Sequence, residues 1–435
     1  MINDPTCIPE ILGFKNLRIV ETLGEAKRKA RIHNDAAGIN SILSSKPATA
    51  VTLASPPQLI TNAATSQIYK SNNWAKIKSL QDQADKDLRS MFTLMKDHPD
   101  AAWKRAIDDT TGIELYVTWT PQGSYCWSFC PSVNPGSVNN DPNTKFNANC
   151  QYGTFSKSTS ICGIHTYNLG LSTLSTQIDV AGTIAGFVSK VMKKGVNFFA
   201  EDLIKMLSES AAEAGLDAVF TIGSAVLGAV CSAAVFIVVF IGIMYFYNFL
   251  NKRFQIVVNI YNWDSINDWK IPSQHVSNAI NPGKDKDDKI NISIPKLTNA
   301  ANVMLPPDLR DLLNITDLET VCSYSTIVYE NEKTFAQGCS FAFPVTLGNN
   351  GNQGFTYAFE CPWVADNGHY IEGTVQDPTS FLTKANSHWV KSTAPLKTTA
   401  ASNVPVFASI DALHGGDANG SDSYCVNIHI NGSPQ

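Results

Sequence analysis

The first half of the chain carries apolar residues at helical spacing. Steps of three and four predict helices over residues 14–33, 74–95 and 171–207, and the second has one clear apolar stripe. Residues 44–66 are small and polar, with three prolines, and predict either a linker or an extended segment. These helices predict a bundle in the N-terminal part of the chain.

The pattern changes to a period of two after residue 253. Apolar residues alternate through 256–260, 290–294, 355–359 and 426–430, and turn residues such as Gly and Asn separate these runs. Alternation interrupted by turns is typical of antiparallel sheets that bury one face. We therefore predict an α+β protein with an N-terminal helical bundle, a long hydrophobic helix or hairpin, and a C-terminal antiparallel β-sandwich.

The long apolar run lies between these two regions. Residues 218–251 contain no Asp, Glu, Lys, Arg or His. As one helix the run would be about 50 Å long, which exceeds the ~30 Å hydrocarbon core of a bilayer. Small residues dominate its first half, and its bulky second half supplies the predicted membrane-inserting residues Val235, Phe236, Ile237, Val238, Val239, Phe240, Ile241, Ile243, Met244, Tyr245 and Phe246.

The predicted helices and the apolar run resemble the architecture of α-helical pore-forming toxins. The resemblance rests on the stripe at 74–95, the helix at 171–207 and residues 218–251. In that class a helical bundle shelters a hydrophobic segment that is released at the target membrane. The resemblance implies a membrane-inserting, pore-forming cytolysin that forms a homo-oligomer on the lipid membrane. A C-terminal β domain is more similar to the receptor-binding sandwiches of other toxins.

Two other functions fit the same pattern. A lectin-like carbohydrate-binding protein would keep residues 218–251 buried as core, and a single-span membrane protein would use them as an anchor. Aromatic side chains beside turns can stack on sugars or settle at lipid headgroups, although each one could equally be core. The candidate target-binding residues, for a glycan or a lipid headgroup, are Tyr261, Trp263, Trp269, Trp363, Tyr370 and Trp389.

Cysteines form two even-numbered sets. The first lies in a loop-rich insert that follows a predicted strand at 113–119. Disulfides within each set and free buried thiols are equally compatible with the spacing. The candidates are Cys126, Cys130, Cys150, Cys162, Cys322, Cys339, Cys361 and Cys425. A zinc site made of the first set and His165 is the weaker interpretation, because the usual zinc pairs are more tightly spaced.

Composition, the N-terminal pattern and the lack of catalytic motifs argue against several classes of function. Charged residues make up 16% of the chain and the net charge is −5, so neither disorder nor a nucleic-acid partner is indicated. The N-terminus lacks the pattern of a signal peptide, which predicts a form secreted or released by another route. No phosphate-binding loop or hydrolase motif is present, so we predict a non-enzymatic protein without cofactor or metal.

These observations predict four regions. Residues 1–112 form a helical region, and residues 113–170 form the Cys-rich insert. Residues 171–252 form a second helical region that contains the membrane-inserting segment. Residues 253–435 form a β-sandwich that binds the target surface and folds by itself.

Overall fold

The computed structural model shows a protein built mainly from two β-sheets. It describes residues 8, 10–36, 49–136, 144–194, 200–216, 220–221, 255–281, 290–306, 320–332, 338–400, 403–414 and 423–434. The predicted fold class is wrong, because an antiparallel sheet occupies the place of the N-terminal helical bundle. Helices are present within the described ranges, but most of them cover this sheet instead of packing only on one another, and the one at Pro378–Ala385 packs on the second sheet.

Seven strands of the N-terminal half form one continuous stretch of sheet. Their order is β1-β3-β4-β5-β6-β7-β2, and every neighbouring pair is antiparallel. The strands are β1 Leu17–Thr22, β2 Thr49–Thr61, β3 Lys104–Asp108, β4 Glu114–Trp119, β5 Tyr125–Pro135, β6 Phe146–Ser156 and β7 Ile161–Leu171. The segment predicted as a linker or an extended segment contains the strand β2, and most of the predicted loop-rich insert is three long strands.

The strands β5, β6 and β7 lack a clear period-two pattern because both of their faces are buried over most of their length. Cys126 and Tyr152 lie in a core with the helices, whereas Trp127 and Phe155 lie in a separate core on the opposite face. Strands covered on both sides read as continuous apolar runs instead of alternating ones. Gly153 leaves room for the Trp127 ring in the second core, since a Cβ at Gly153 would lie 1.9 Å from that ring.

Seven helices occur in the described part of the chain. They are α1 Leu23–Ala36, α2 Ala63–Lys70, α3 Trp74–Asp97, α4 Pro99–Ala102, α5 Gln177–Lys194, α6 Ala200–Glu213 and α7 Pro378–Ala385. The predicted stripe at 74–95 is confirmed, because Ile77, Leu88 and Met95 on it are buried. The predicted helix at 14–33 is wrong over Leu17–Thr22, which form β1 with alternate residues buried.

The C-terminal half contributes the remaining strands. They are β8 Phe220–Thr221, β9 Gln255–Asn262, β10 Trp269–Ile271, β11 His275–Ser277, β12 Ala279–Ile280, β13 Ile292–Ile294, β14 Thr298–Asn299, β15 Thr320–Asn331, β16 Cys339–Leu347, β17 Asn350–Cys361, β18 Gly368–Glu372, β19 Leu396–Ala400, β20 Val404–Ile410 and β21 Ser423–Ile430. The first sheet continues from β2 through β15-β9-β21-β20-β19, and a second sheet has the order β13-β10-β16-β17-β18.

One apolar core fills the space between the second sheet and the C-terminal strands of the first. Val258 and Ile428 from the first sheet meet Phe343 and Tyr357 from the second. The two halves of the protein share the first sheet, since β2 pairs with β15 from Gln58↔Ser323 to Thr61↔Thr320. The expectation that residues 253–435 fold by themselves stays a prediction, although β15 of this region also pairs with β2 of the other half.

A buried polar network also joins the halves. Asn72, in the turn between α2 and α3, accepts hydrogen bonds from Asn427 Nδ2 (2.9 Å) and from His429 Nε2 (3.3 Å). The other ring nitrogen of His429 accepts from Trp263 Nε1 at 3.0 Å. The His429 ring stacks on Tyr261 and Phe407, at centroid distances of 4.9 and 4.7 Å. The turn is thereby fixed to β21.

Candidate functional site

The two flanks of the apolar run are each paired with a strand of the first sheet. On one side β8 pairs in parallel with the first residues of β2, Thr49↔Phe220 and Ala50↔Thr221. On the other side β9 begins at Gln255, opposite Glu330 of β15 and Ser423 of β21. The predicted membrane-inserting residues 235–246 lie outside the described residues. None of the described helices is both long and apolar enough to cross a bilayer.

Strand direction places both flanks toward the same end of the sheet. β2 runs antiparallel to β15, so the first residues of β2 point the same way as the last residues of β15. β9 is antiparallel to β15 and begins beside those last residues. We call this end, marked by Thr49, Gln255 and Glu330, the junction end. The described residues on either side of 222–254, which are Thr221 and Gln255, therefore both lie toward the junction end.

The second sheet reaches the junction end as well. Asn278 Nδ2 donates to Asn331 Oδ1 at 3.2 Å and to the Gly338 carbonyl at 2.6 Å, which places the start of β16 beside the end of β15. The Asn367 amide donates to the Leu413 carbonyl at 2.8 Å. The turn between β17 and β18 therefore lies beside the segment that follows β20.

Exposed apolar side chains occur at this end. Val364, in the turn between β17 and β18, is 82% exposed, and Trp363 beside it is half-buried. Trp389 is half-buried too, and its neighbour Val390 bridges to His369 at the start of β18. Sequence reasoning missed Val364, because an isolated valine in a turn belongs to no periodic pattern. The aromatic neighbour Trp363 was the available signal.

Three of the six predicted target-binding aromatics are not available at the surface. Tyr261, Trp263 and Trp269 are 4%, 2% and 0% exposed. Trp263 Nε1 is bonded to His429, and Trp269 Nε1 donates to Asp264 Oδ2 at 3.3 Å. The prediction is wrong for these three, because their side chains are packed in the interior and do not face solvent.

The polar residues next to them hold the local turns. Asn262 Nδ2 donates to the carbonyls of Ile294 (3.0 Å) and Pro295 (2.9 Å). Asp264 Oδ1 accepts from the amides of Ile266 (2.8 Å) and Asn267 (3.2 Å). These short polar side chains are thus occupied by the backbone and do not form a sugar-binding surface.

The other three predicted aromatics are partly exposed. Trp363 and Trp389 lie at the junction end, as described above. The Tyr370 ring stacks on Phe381 and His388, each at a centroid distance of 5.3 Å, and its hydroxyl donates to Glu372. The structure therefore places two of the six predicted residues, Trp363 and Trp389, at the junction end, where they pack against different cores, and it adds Val364 beside Trp363.

The eight candidate cysteines are buried thiols, and no disulfide joins any two of them in the described structure. Burial raises the pKa of Cys126 and of Cys130 to about 12, so both are protonated at neutral pH. Cys162 lies in the core on the opposite face of the sheet from Cys126. Within the described ranges, no group of three or more His, Cys, Asp or Glu side chains could hold a metal ion.

Oxidation is expected to link one pair of these thiols before any other. Cys339 and Cys361 face each other directly across β16 and β17, and directly opposed residues place their Cβ atoms ~4.5–5.5 Å apart. Mild oxidation followed by peptide mapping should find this bond first. Cys339→Ser should abolish it, and Cys322→Ser is the matched control. A first bond among the four cysteines between residues 126 and 162 would contradict the expectation.

Comparison with known proteins adds little to this geometry. No protein family and no curated protein matches the chain. Among solved structures, the chain is similar to the crystal structure of the lipid binding protein Nakanori. The alignment covers 41% of this chain and 71% of that chain, at 7% sequence identity and a TM-score of 0.26. At that score the likeness establishes neither a shared fold nor a shared function.

Proposed function

We propose that the protein inserts residues 218–251 into lipid bilayers and acts as a pore-forming cytolysin. One observation carries the proposal: an uncharged apolar run is tethered at both flanks to the junction end of one sheet. An uncharged run of this length favours hydrocarbon over water. The proposed protein is released in a soluble form and acts at the target membrane, without enzymatic activity.

The tethering favours a re-entrant insertion over a single span. A single span would put its two flanks on opposite faces of the bilayer, but here both flanks belong to one sheet. Because Phe220 and Thr221 are held in β8, residues 222–251 are left to enter and return through one face, as two limbs of about 15 residues. Each limb, if helical, would be about 22 Å long, somewhat shorter than the ~30 Å hydrocarbon core. This argues against the single-span alternative.

Pore formation would require several copies of the chain. One hairpin cannot enclose water, and every backbone polar group in hydrocarbon needs a hydrogen-bond partner. The small residues in the first half of the run, such as Gly223, Gly228 and Ala233, suit close packing between neighbouring helices. The proposal therefore includes a homo-oligomer on the membrane.

We further propose that the junction end meets the membrane surface. Val364, Trp363 and Trp389 lie at the end from which the apolar run leaves, and tryptophan favours the headgroup region of bilayers. The lectin-like alternative uses the same two tryptophans to stack on sugars. Vesicles of pure phospholipid separate the two functions, because they carry no glycan.

Val364→Asp is expected to weaken binding to phospholipid vesicles by about tenfold, because a charge would replace an aliphatic group at the lipid surface. Ile266→Asp is the matched control. Ile266 is 77% exposed, but it follows β9 at the end of the sandwich opposite the junction end. Vesicle flotation measures binding, and release of an entrapped dye measures permeabilisation of the vesicles. Thermal unfolding checks that each variant is folded.

Equal binding by the two variants would contradict the orientation. Binding by the unmodified protein without any dye release would contradict pore formation. If the protein binds only vesicles that carry glycolipid, the lectin-like function is favoured instead.

A further inference from the structure

A row of four directly opposed residues crosses the outer face of the second sheet at the junction end. Ser277 of β11 is opposite Ser340 of β16. Glu360 of β17 is opposite Ser340 on one side and Gly368 of β18 on the other. Directly opposed residues on neighbouring antiparallel strands lie on the same face of a sheet. We call these four residues the polar row. Because neighbouring strands are ~4.8 Å apart, the polar row spans roughly 14 Å.

Helix α7 covers the neighbouring residues of this face and leaves the polar row partly open. Three apolar side chains of α7 pack on Ala342 and Ala358, which are the next residues of β16 and β17 on the same face. Ser340 and Glu360 are only half-buried, and Ser277 is exposed. A ligand can therefore reach the polar row from solvent without any movement of α7.

Trp389 and the carboxylate of Glu360 meet above Gly368. A Cβ at Gly368 would lie 2.9 Å from the Cβ of Trp389 and 3.1 Å from Glu360 Oε1, so a side chain at this position would displace one of them. Trp389 packs against the apolar cluster beneath α7 and is half-buried. The next residue, Val390, is bonded through its backbone to His369. The indole is thus held beside a carboxylate, with part of its surface open to solvent.

The polar side chains of the row are not used by the rest of the described protein. Ser277, Ser340 and Glu360 form no side-chain hydrogen bond or ion pair with any described residue. Burial raises the pKa of the Glu360 carboxyl above its ordinary value, and the nearby charge of Lys391 partly offsets this rise. The nearby lysine means that the carboxylate does not lack a counter-charge. The acceptors of the polar row therefore suit neutral donors, such as hydroxyl groups, better than a cation.

We propose that Trp389 and the polar row bind a neutral sugar, with Glu360 as the principal hydrogen-bond acceptor. A sugar ring has an apolar face of C–H groups, which an indole can cover, and a rim of hydroxyl groups, which donate to a carboxylate. One carboxylate can accept from two adjacent hydroxyls, and hydrogen bonds to a charged acceptor are stronger than neutral ones. The two serine hydroxyls extend the row to a length that fits two linked sugar rings.

The position of the polar row indicates two sources for such a sugar. The row lies at the junction end, close to the turn with Val364 that we propose to meet the membrane surface. The headgroup of a neutral glycolipid would reach the row from that surface, and a soluble glycan offers the same chemistry. The glycolipid source rests on the proposed orientation of the protein on the membrane, whereas the sugar site itself does not.

Calorimetry of the full chain with lactose, maltose and cellobiose tests the site. We expect saturable binding of at least one of these neutral disaccharides. Glu360→Gln keeps the size of the side chain but removes its charge, and should weaken that binding by at least about tenfold. Trp389→Leu keeps an apolar group against α7 but removes the stacking ring, and should weaken binding by a similar factor. Asp366→Asn is the matched control, because it removes an exposed carboxylate from the neighbouring turn and should leave binding unchanged.

Absence of saturable binding by all three sugars would overturn the proposal, and so would unchanged binding by a folded Glu360→Gln variant. Phosphatidylcholine vesicles, with and without a ceramide that carries the bound disaccharide, then distinguish the two sources. Stronger vesicle binding with this glycolipid, lost in Glu360→Gln, would assign the sugar to a membrane, and equal binding would assign it to a soluble glycan. Sugar binding is measured without a membrane, so its failure and the failure of pore formation are distinguishable.

Discussion

Val239→Lys is expected to reduce dye release from vesicles by about 100-fold. Val239 lies near the middle of the bulky half of the uncharged run. A lysine at the centre of a membrane-inserted segment costs ~2.5–3.5 kcal/mol on insertion scales, and each 1.4 kcal/mol corresponds to a factor of ten. Dye release measured against protein concentration gives the effect directly.

Two controls make the result interpretable. Val239→Leu keeps the segment apolar and should release dye as the unmodified protein does. Thermal unfolding of Val239→Lys should match that of Val239→Leu, which would show that the change acts in the membrane and not on the folded protein. Unchanged dye release by a folded Val239→Lys variant would rule out insertion of this segment.

Acidification is expected to destabilise the protein by several kcal/mol between pH 6.5 and pH 4. Burial lowers the pKa of His165 and His429 to about 3 and that of His369 to about 4. In the unfolded chain a histidine takes up its proton near pH 6.5. The unfolded state therefore binds more protons in this window, and the stabilisation present above pH 6.5 is lost as the pH falls.

The contribution of His429 can be isolated by substitution. His429→Phe keeps a ring stacked on Tyr261 and Phe407 but removes the hydrogen bonds to Trp263 and Asn72. We expect lower stability at pH 8, by about 1–3 kcal/mol. Between pH 6 and pH 4 the slope of the unfolding free energy should fall by about 1.4 kcal/mol per pH unit. Urea denaturation at several pH values measures both effects, and an unchanged acid sensitivity would contradict the assignment to this histidine.

Asp411 affects the pH dependence of stability in the direction opposite to that of the histidines. Desolvation of its carboxyl group raises the pKa of Asp411 to about 7, so its stabilising contribution is present at low pH and is lost as the pH rises through 7. Asp411→Asn retains the oxygen that accepts the Cys425 amide at 2.9 Å. It should be more stable than the unmodified protein at pH 8 but not at pH 4. Equal stability of the two proteins at pH 8 would show that the carboxylate is not destabilising there.

Sequence patterns identified elements whose environment has one polar side. The helix at Trp74–Asp97 has a buried stripe and an exposed face, and its boundaries were predicted almost to the residue. The alternating runs at 256–260 and 426–430 lie in β9 and β21, whose second face is also buried but carries polar side chains such as Asn259 and Asn427. In the helix above all, apolar residues occupy the positions that face the core, and polar residues occupy those that face solvent.

Elements covered on both sides were misjudged. Residues 125–130 of β5 are all buried, so the run has neither a helical nor a period-two pattern. Its Gly, Pro and Asn neighbours then suggested loops. The pairing that builds the N-terminal sheet depends on contacts between segments distant in the chain, which one sequence cannot show. The helices were thus assigned to a bundle although they cover a sheet.

The candidate site was predicted in part. Trp363 and Trp389 were found because they are aromatic residues beside turns, but the same criterion selected Tyr261, Trp263 and Trp269, which are core.

The late partner of β2 has a consequence for synthesis on the ribosome. β2 cannot complete its second ladder until residues 320–323 have emerged, roughly 260 residues after β2 itself. At ~5–20 residues per second, its free edge stays open for tens of seconds. Pro56 and Pro57 lie within the strand, and a proline on an open edge discourages pairing with other chains. We expect nascent chains shorter than about 320 residues to depend on chaperones.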